Sequence, residues 1–157
     1  RLSGAVPRCY HQAQNEKEKT MSEASKETLR GTVAELVADY NEYEELCKKE
    51  DEIERSALDE YEDAEAVVDR LRERPLCAEV RSSWVSLGSQ LTSDEFKILL
   101  GTGGPAYWIA GDLDEHHEPT NVKAFHQDWF EPAQVIHLTE DEQAAVDWFA
   151  QLFYWGA

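Results

Sequence analysis

Apolar residues recur at alternating steps of four and three between residues 29 and 71, and this spacing limits the possible folds most. Such steps keep side chains on one face of an α-helix. The charged run at residues 48–52 interrupts the series without a Gly or Pro. One helix of ~65–70 Å and an antiparallel helical hairpin both fit the pattern. We prefer the hairpin, or two long helices that pair between chains. This apolar stripe consists of Leu29, Val33, Leu36, Tyr40, Tyr43, Cys47, Ala57, Tyr61, Ala64, Val68 and Leu71.

The pattern changes after Pro75, whose ring cannot continue a helix. Gly, Pro and aromatic residues concentrate in the second half, and short apolar runs bounded by turn residues predict strands. Thr139 and Glu142 form a capping box that opens a last helix. We expect most aromatic residues to build the core, and Trp155 to be partly exposed. The predicted strands cover residues 96–100, 106–110, 122–126 and 134–138.

These patterns predict an α+β fold: an N-terminal long helix or helical hairpin, followed by a small antiparallel sheet with a C-terminal helix packed on it. The expected organisation is an acidic, coiled-coil-like helical arm at residues 21–75 and a small α+β domain at residues 76–157. Residues 1–20 are expected to be a non-native leader or a disordered tail. Met21 is the single methionine, and the codons for residues 15–20 are purine-rich, as in a ribosome-binding site.

The chain is strongly acidic, with 33 Asp and Glu against 15 Lys and Arg and a formal net charge of -18. This charge repels nucleic-acid phosphate and anionic lipid, and it draws basic partners by long-range steering. The sequence contains no apolar run of the ~20 residues that a membrane helix needs. We therefore expect a cytoplasmic protein that binds neither nucleic acid nor membrane. Three unpatterned cysteines support neither a disulfide framework nor a metal site.

Four short segments stand out in about the last 60 residues: FKILLGTGGPA at residues 96–106, GDLD at 111–114, QDWF at 127–130 and FYWG at 153–156. Together they resemble a family of small uncharacterised bacteriophage and prophage proteins. The resemblance implies the origin of the protein, a phage or prophage product in the bacterial cytoplasm. It implies no activity, cofactor or catalytic residue.

Three groups of residues could carry chemistry, and each has a simpler structural interpretation. The glycine-rich run at residues 101–104 lacks the Lys-Ser or Lys-Thr of a phosphate loop and is better explained as a hairpin turn. Carboxylates and histidines at residues 112–118, including His116 and His117, lack the spacing of a calcium or zinc site. His126 and Asp128 could form an acid–base pair that His137 approaches. Ordinary turns, loops and strand histidines explain these groups better, so we predict no cofactor, no bound metal and no catalytic residue.

The expected function is that of a non-enzymatic phage accessory protein. It would bind a basic surface of a host protein, such as a nucleic-acid-handling or defence enzyme, by electrostatic and steric occlusion. One alternative is a structural protein that self-associates through residues 29–71, and another is a metal-dependent enzyme. The predicted partner-binding residues are Glu42, Glu44, Glu45, Asp59, Glu60, Glu62, Asp63, Asp112, Asp114, Glu115 and Glu118.

Overall fold

The computed structural model describes residues 8–50, 58–103 and 105–156. The predicted α+β fold is confirmed: a long N-terminal helix and a second helix precede an open antiparallel sheet, and a C-terminal helix packs on that sheet. The sheet has 5 strands in the order β1-β2-β3-β4-β5. The elements are α1 (Arg8–Glu50), α2 (Leu58–Arg72), β1 (Cys77–Arg81), β2 (Glu95–Gly101), β3 (Ala106–Leu113), β4 (Pro119–Gln127), β5 (Gln134–Val135) and α3 (Glu140–Gln151).

Helices α1 and α2 pack against each other as an antiparallel hairpin. Arg70 near the end of α2 donates to Asp39 at 2.7 Å and to Glu42 at 3.2 Å, and Arg74 pairs with Glu35. Later residues of α2 thus contact earlier residues of α1, which requires the chain to reverse between them. The joining residues 51–57 lie outside the described part of the chain. Helix α1 begins at Arg8, within residues 1–20, which we predicted to be a non-native leader or a disordered tail. The interpretation of these residues as a leader stays a prediction.

The helical hairpin and the sheet share one hydrophobic core. Stripe residues Leu29, Val33 and Leu36 are buried in the same cluster as Ile98 of β2 and Phe149 of α3. The part of the stripe on residues 29–36 is therefore covered by the chain's own elements. These side chains pack within the chain, and self-association through residues 29–71 stays a prediction.

The two faces of the sheet differ in what they contact. Ile98, Ile109 and Ala124 are register neighbours on one face, and all three are fully buried. Because side chains alternate along a strand, the neighbouring positions Trp108 and Phe125 lie on the other face. Their rings stack with centroids 5.6 Å apart.

Two strands differ from the sequence prediction. Strand β1 was not predicted, because its apolar alternation is short, with only Ala78 and Val80 on that face within the strand, and four of its five side chains are exposed. Strand β5 covers only Gln134–Val135, whereas residues 134–138 were predicted. The Ile136 amide still donates to the Ala124 carbonyl at 2.9 Å, so the chain follows β4 slightly beyond the strand.

The predicted capping box at the start of α3 is confirmed. The Glu142 amide donates to Thr139 Oγ1 at 3.3 Å, and the Thr139 amide donates to the Glu142 carboxylate at 2.8 Å. We expect Thr139→Ala to lower the free energy of unfolding by ~0.5–2 kcal/mol, because one helix N–H loses its acceptor. Urea unfolding of the variant beside Thr139→Ser, which keeps the hydroxyl, measures this loss. Equal losses in both variants would contradict a capping role.

The C-terminal residues fold back into the core, contrary to the prediction of a partly exposed Trp155. Trp155 is buried, its ring lies 4.7 Å from that of Phe96, and its Nε1 donates to the Ala150 carbonyl at 2.9 Å. The buried indole N–H therefore has a partner. Tyr154, the adjacent residue, takes the exposed position.

Candidate functional site

The predicted carboxylates of α1 differ in how far the chain itself neutralises them. Glu42 accepts from Arg70, and Glu44 accepts from Lys48 and from the Tyr40 hydroxyl, both at 2.9 Å. These hydrogen bonds, from Lys48 first, hold the pKa of Glu44 below its ordinary value. Glu45 is exposed and pairs with no described Lys or Arg. Of the three, Glu45 is thus the most available to a partner.

The four predicted acidic residues of α2 lie on the first turns of that helix. They are Asp59, Glu60, Glu62 and Asp63. Because α2 runs antiparallel to α1, this end of α2 belongs to the same end of the hairpin as the last turns of α1. Their side chains lie outside the described residues, so their role as partner-binding groups stays a prediction.

The second acidic region is the turn between β3 and β4. Asp114 accepts from the backbone amides of Glu118 at 2.9 Å and His116 at 2.8 Å, and these hydrogen bonds, from Glu118 first, lower the pKa of its carboxyl group. Asp112 accepts from the Asn121 side chain at 2.8 Å. These two carboxylates therefore shape the turn. Glu115 and Glu118 remain exposed, and this turn is the solvated hairpin loop that the sequence indicated.

The glycine-rich run after β2 joins two neighbouring antiparallel strands, as expected of a hairpin turn. Strands β2 and β3 are adjacent, with Ile98 opposite Ile109. Gly101 lies against the Tyr107 ring, where an added Cβ would be 2.2 Å from a ring carbon. A larger residue here would have to displace the Tyr107 ring, which gives the glycine a structural reason that does not involve a phosphate.

The candidate catalytic pair lies inside the protein. His126 on β4 is 2% exposed, Asp128 just beyond the strand is 8% exposed, and His137 is exposed. The Nδ1 atom of His126 has no hydrogen-bond partner among the described residues. Those residues also contain no group of three or more side chains that could hold a metal ion. Neither His126 nor Asp128 therefore presents an exposed side chain.

The burial of His126 has a consequence for stability. Burial lowers the pKa of the imidazole, and Lys26 on α1 adds to this effect, whereas Asp128 and Glu131 oppose it. The unfolded chain therefore binds a proton at a higher pH than the folded chain does. Stability conferred by the neutral imidazole is complete above the ordinary pKa of ~6.5 and decreases as the pH falls below it.

We expect His126→Gln to flatten the pH dependence of stability between about pH 7.5 and 5.5. Glutamine binds no proton, so the difference in slope from wild type is at most ~1.4 kcal/mol per pH unit, the limit for one proton. Urea unfolding at several pH values measures both slopes. A wild-type slope that the substitution leaves unchanged would show that His126 does not cause it.

The structure also shows an exposed apolar region that the sequence analysis missed. Trp84 and Leu87 are fully exposed in the segment between β1 and β2, and Leu91 is largely exposed. Monomeric proteins rarely expose contiguous apolar side chains without an interaction role. The sequence could have indicated this region, because residues 82–91 place large apolar side chains among serines without the periodicity of a helix or a strand.

No protein-family model matches the chain, and neither a curated protein nor a solved structure shows significant similarity to it. In the part of the chain that the structure describes, no helix combines the length and the apolar character required to cross a lipid bilayer.

Proposed function

We propose that this protein is a non-enzymatic binding protein whose acidic surface docks on a basic surface of a partner protein. The supporting observation is the charge left after intrachain pairing. Even if each of the 15 Lys and Arg neutralised one of the 33 Asp and Glu, the net charge of -18 would remain on unpaired carboxylates. In a compact chain most of these must face solvent, and a field of one sign steers and selects partners of the opposite sign.

Exposed carboxylates occur on both predicted binding regions. Glu45 lies on the helical hairpin, and Glu115 and Glu118 lie on the β3–β4 turn. Glu42, Glu44, Asp112 and Asp114 already hold the local structure through hydrogen bonds. We therefore assign docking on the partner to the first three carboxylates, and support of the local structure to the four that already accept hydrogen bonds.

The mechanism is occlusion: the bound protein covers a basic site of the partner and competes with its normal ligand. The resemblance to phage proteins favours a bacterial host protein as the partner, such as a nucleic-acid-handling or defence enzyme, with the complex in the cytoplasm. Burial of His126 and Asp128 argues against the alternative of a metal-dependent enzyme built on them.

Capture with the full chain as bait from a bacterial lysate, followed by titration of the purified captured protein, tests this proposal. The triple variant Glu45→Gln, Glu115→Gln and Glu118→Gln is expected to weaken binding by at least ~10-fold at low salt, because three charges leave the contact surface. The matched control Glu27→Gln, Glu73→Gln and Glu140→Gln removes the same charge from exposed positions elsewhere. Equal affinity of the triple variant and wild type would contradict the proposal.

A further inference from the structure

Strand β1 forms an open edge of the sheet. It pairs with β2 on one side, and no described strand lies on its other side. Four of its five residues are exposed, so neither described helix nor loop covers it. An edge strand presents a row of backbone N–H and C=O groups that can pair with another strand. The opposite edge is β5, which has only 2 residues and offers a much shorter template.

The charges of β1 are complementary to a second copy of the same strand. Antiparallel pairing centred on Val80 places Glu79 opposite Arg81 of the second copy, and Arg81 opposite Glu79 of the second copy. Directly opposite charges stabilise a strand pair, and like charges destabilise it. Centring the pair on Glu79 or on Arg81 instead would oppose two like charges, and centring it on Ala78 would leave both charges without an opposite partner. Of these registers, only the Val80-centred one pairs the charges of β1.

The complementarity continues into the neighbouring strand. Within the chain, Glu79 is the register neighbour of Lys97, and Arg81 is the register neighbour of Glu95, with which it forms an ion pair. In the Val80-centred arrangement the signs therefore alternate across four strands. One row would read Lys97, Glu79, Arg81 of the second copy and Glu95 of the second copy.

The same register brings exposed apolar side chains together. Val80, 47% exposed, would meet Val80 of the second copy at the centre, and Leu76 just before β1 and Trp84 shortly after it would lie near the ends of the pair. Leu76 is 59% exposed and Trp84 is fully exposed in the single chain. A stable interface buries ~800 Å² per partner, and a tryptophan alone supplies ~150–250 Å². The adjacent Val85, Leu87 and Leu91 extend the exposed apolar area toward that size.

We propose that two copies of the chain join through β1 in this Val80-centred antiparallel register, so that their sheets continue into one another. This interface differs from the stripe on residues 29–71, of which Leu29, Val33, Leu36 and Leu71 are buried within the chain. It also goes beyond the proposed function, because the dimer would present two acidic surfaces to partners.

The first measurement is the molar mass of the full chain by light scattering and sedimentation equilibrium, at physiological salt and over the micromolar range. We expect a reversible change from the 18.0 kDa monomer to twice that mass. A wild-type chain that stays monomeric throughout would overturn the proposal. The free edge of β1 would then be available only for pairing with a strand of a different protein.

The register is tested with two charge-reversal variants. Glu79→Arg creates a strand with two positive charges, and Arg81→Glu creates one with two negative charges. Each alone would oppose like charges twice in the dimer, and we expect its dimer dissociation constant to rise at least ~30-fold. An equimolar mixture restores both opposite-charge pairs, and we expect it to form a heterodimer. Lys123→Glu, an exposed charge change on β4, is the matched control and should dimerise as wild type does.

Circular dichroism confirms that each variant is folded before its mass is compared. The proposed Val80-centred register would be wrong if the folded single variants dimerised as wild type does. It would also be wrong if the equimolar mixture of the two variants stayed monomeric. Should a charge reversal disturb the fold, Val80→Lys replaces it as the test. This half-exposed position tolerates a lysine in the monomer but opposes two ammonium groups at the centre of the dimer. A folded Val80→Lys chain that still dimerises as wild type does would equally overturn the proposal.

Discussion

Leu36→Asp is expected to unfold the whole chain, and not only the helical hairpin. Leu36 is fully buried in a cluster that includes residues of α2, the sheet and α3. Truncating a buried leucine costs ~2–5 kcal/mol, and a buried carboxylate without a partner costs more. Domains of this size are stable by ~5–15 kcal/mol. The loss therefore approaches the total stability.

Near-ultraviolet circular dichroism, which reports the tryptophans of the second half, distinguishes a shared core from an independent arm. Leu36→Asp should abolish this signal together with the helical signal. Ala34→Asp is the matched control, because Ala34 is exposed on the same helix, and it should change stability by less than ~0.5 kcal/mol. A Leu36→Asp chain that retains its tryptophan signal would show that the sheet and α3 fold without α1.

Trp155→Ala is expected to lower the free energy of unfolding by ~3–5 kcal/mol, the usual cost of deleting a buried large aromatic side chain. The ring packs between Phe96 at 4.7 Å and Phe153 at 5.7 Å, and the substitution also removes the donor to the Ala150 carbonyl. The C-terminal segment would thus lose the side chain that anchors it to the sheet.

The neighbouring aromatic residue provides the control for this substitution. Tyr154 is 90% exposed, so Tyr154→Ala should alter the free energy of unfolding by no more than ~0.5 kcal/mol. Urea unfolding of the two variants in parallel measures the difference. Similar small losses in both would mean that the C-terminal segment does not form part of the core.

Sequence patterns predicted the elements that carry a periodic apolar signal. The stripe residues that the structure describes lie in helices α1 and α2, and the apolar run at residues 96–100 lies in strand β2. Asp94, just before this run, is of a residue type that also caps helices. In the structure the Asp94 carboxylate instead accepts from the Ser83 amide. A hydrogen bond from a residue eleven positions away cannot be deduced from the local sequence. Strand β2 was therefore predicted from its apolar residues alone.

Features that depend on tertiary contacts were not predictable. The apolar face of strand β1 is short and exposed, with only Ala78 and Val80, and the segment is a strand because it pairs with β2. Trp155 follows the last helix near the end of the chain, and only the position of Phe96 explains its burial. The amino-acid composition located the acidic regions. It did not show which carboxylates already accept hydrogen bonds from the chain itself, as Asp114 does in its turn; the structure was needed for that.

The association rate with the captured partner, measured by stopped-flow mixing at several salt concentrations, tests most directly whether the acidic surface is a docking surface. Steering by opposite charges predicts a rate constant that falls at least ~10-fold as salt increases from low to physiological concentration. The triple variant lacking the charges of Glu45, Glu115 and Glu118 should start lower and fall less. A rate constant that salt leaves unchanged, in wild type and variant alike, would contradict the proposed function.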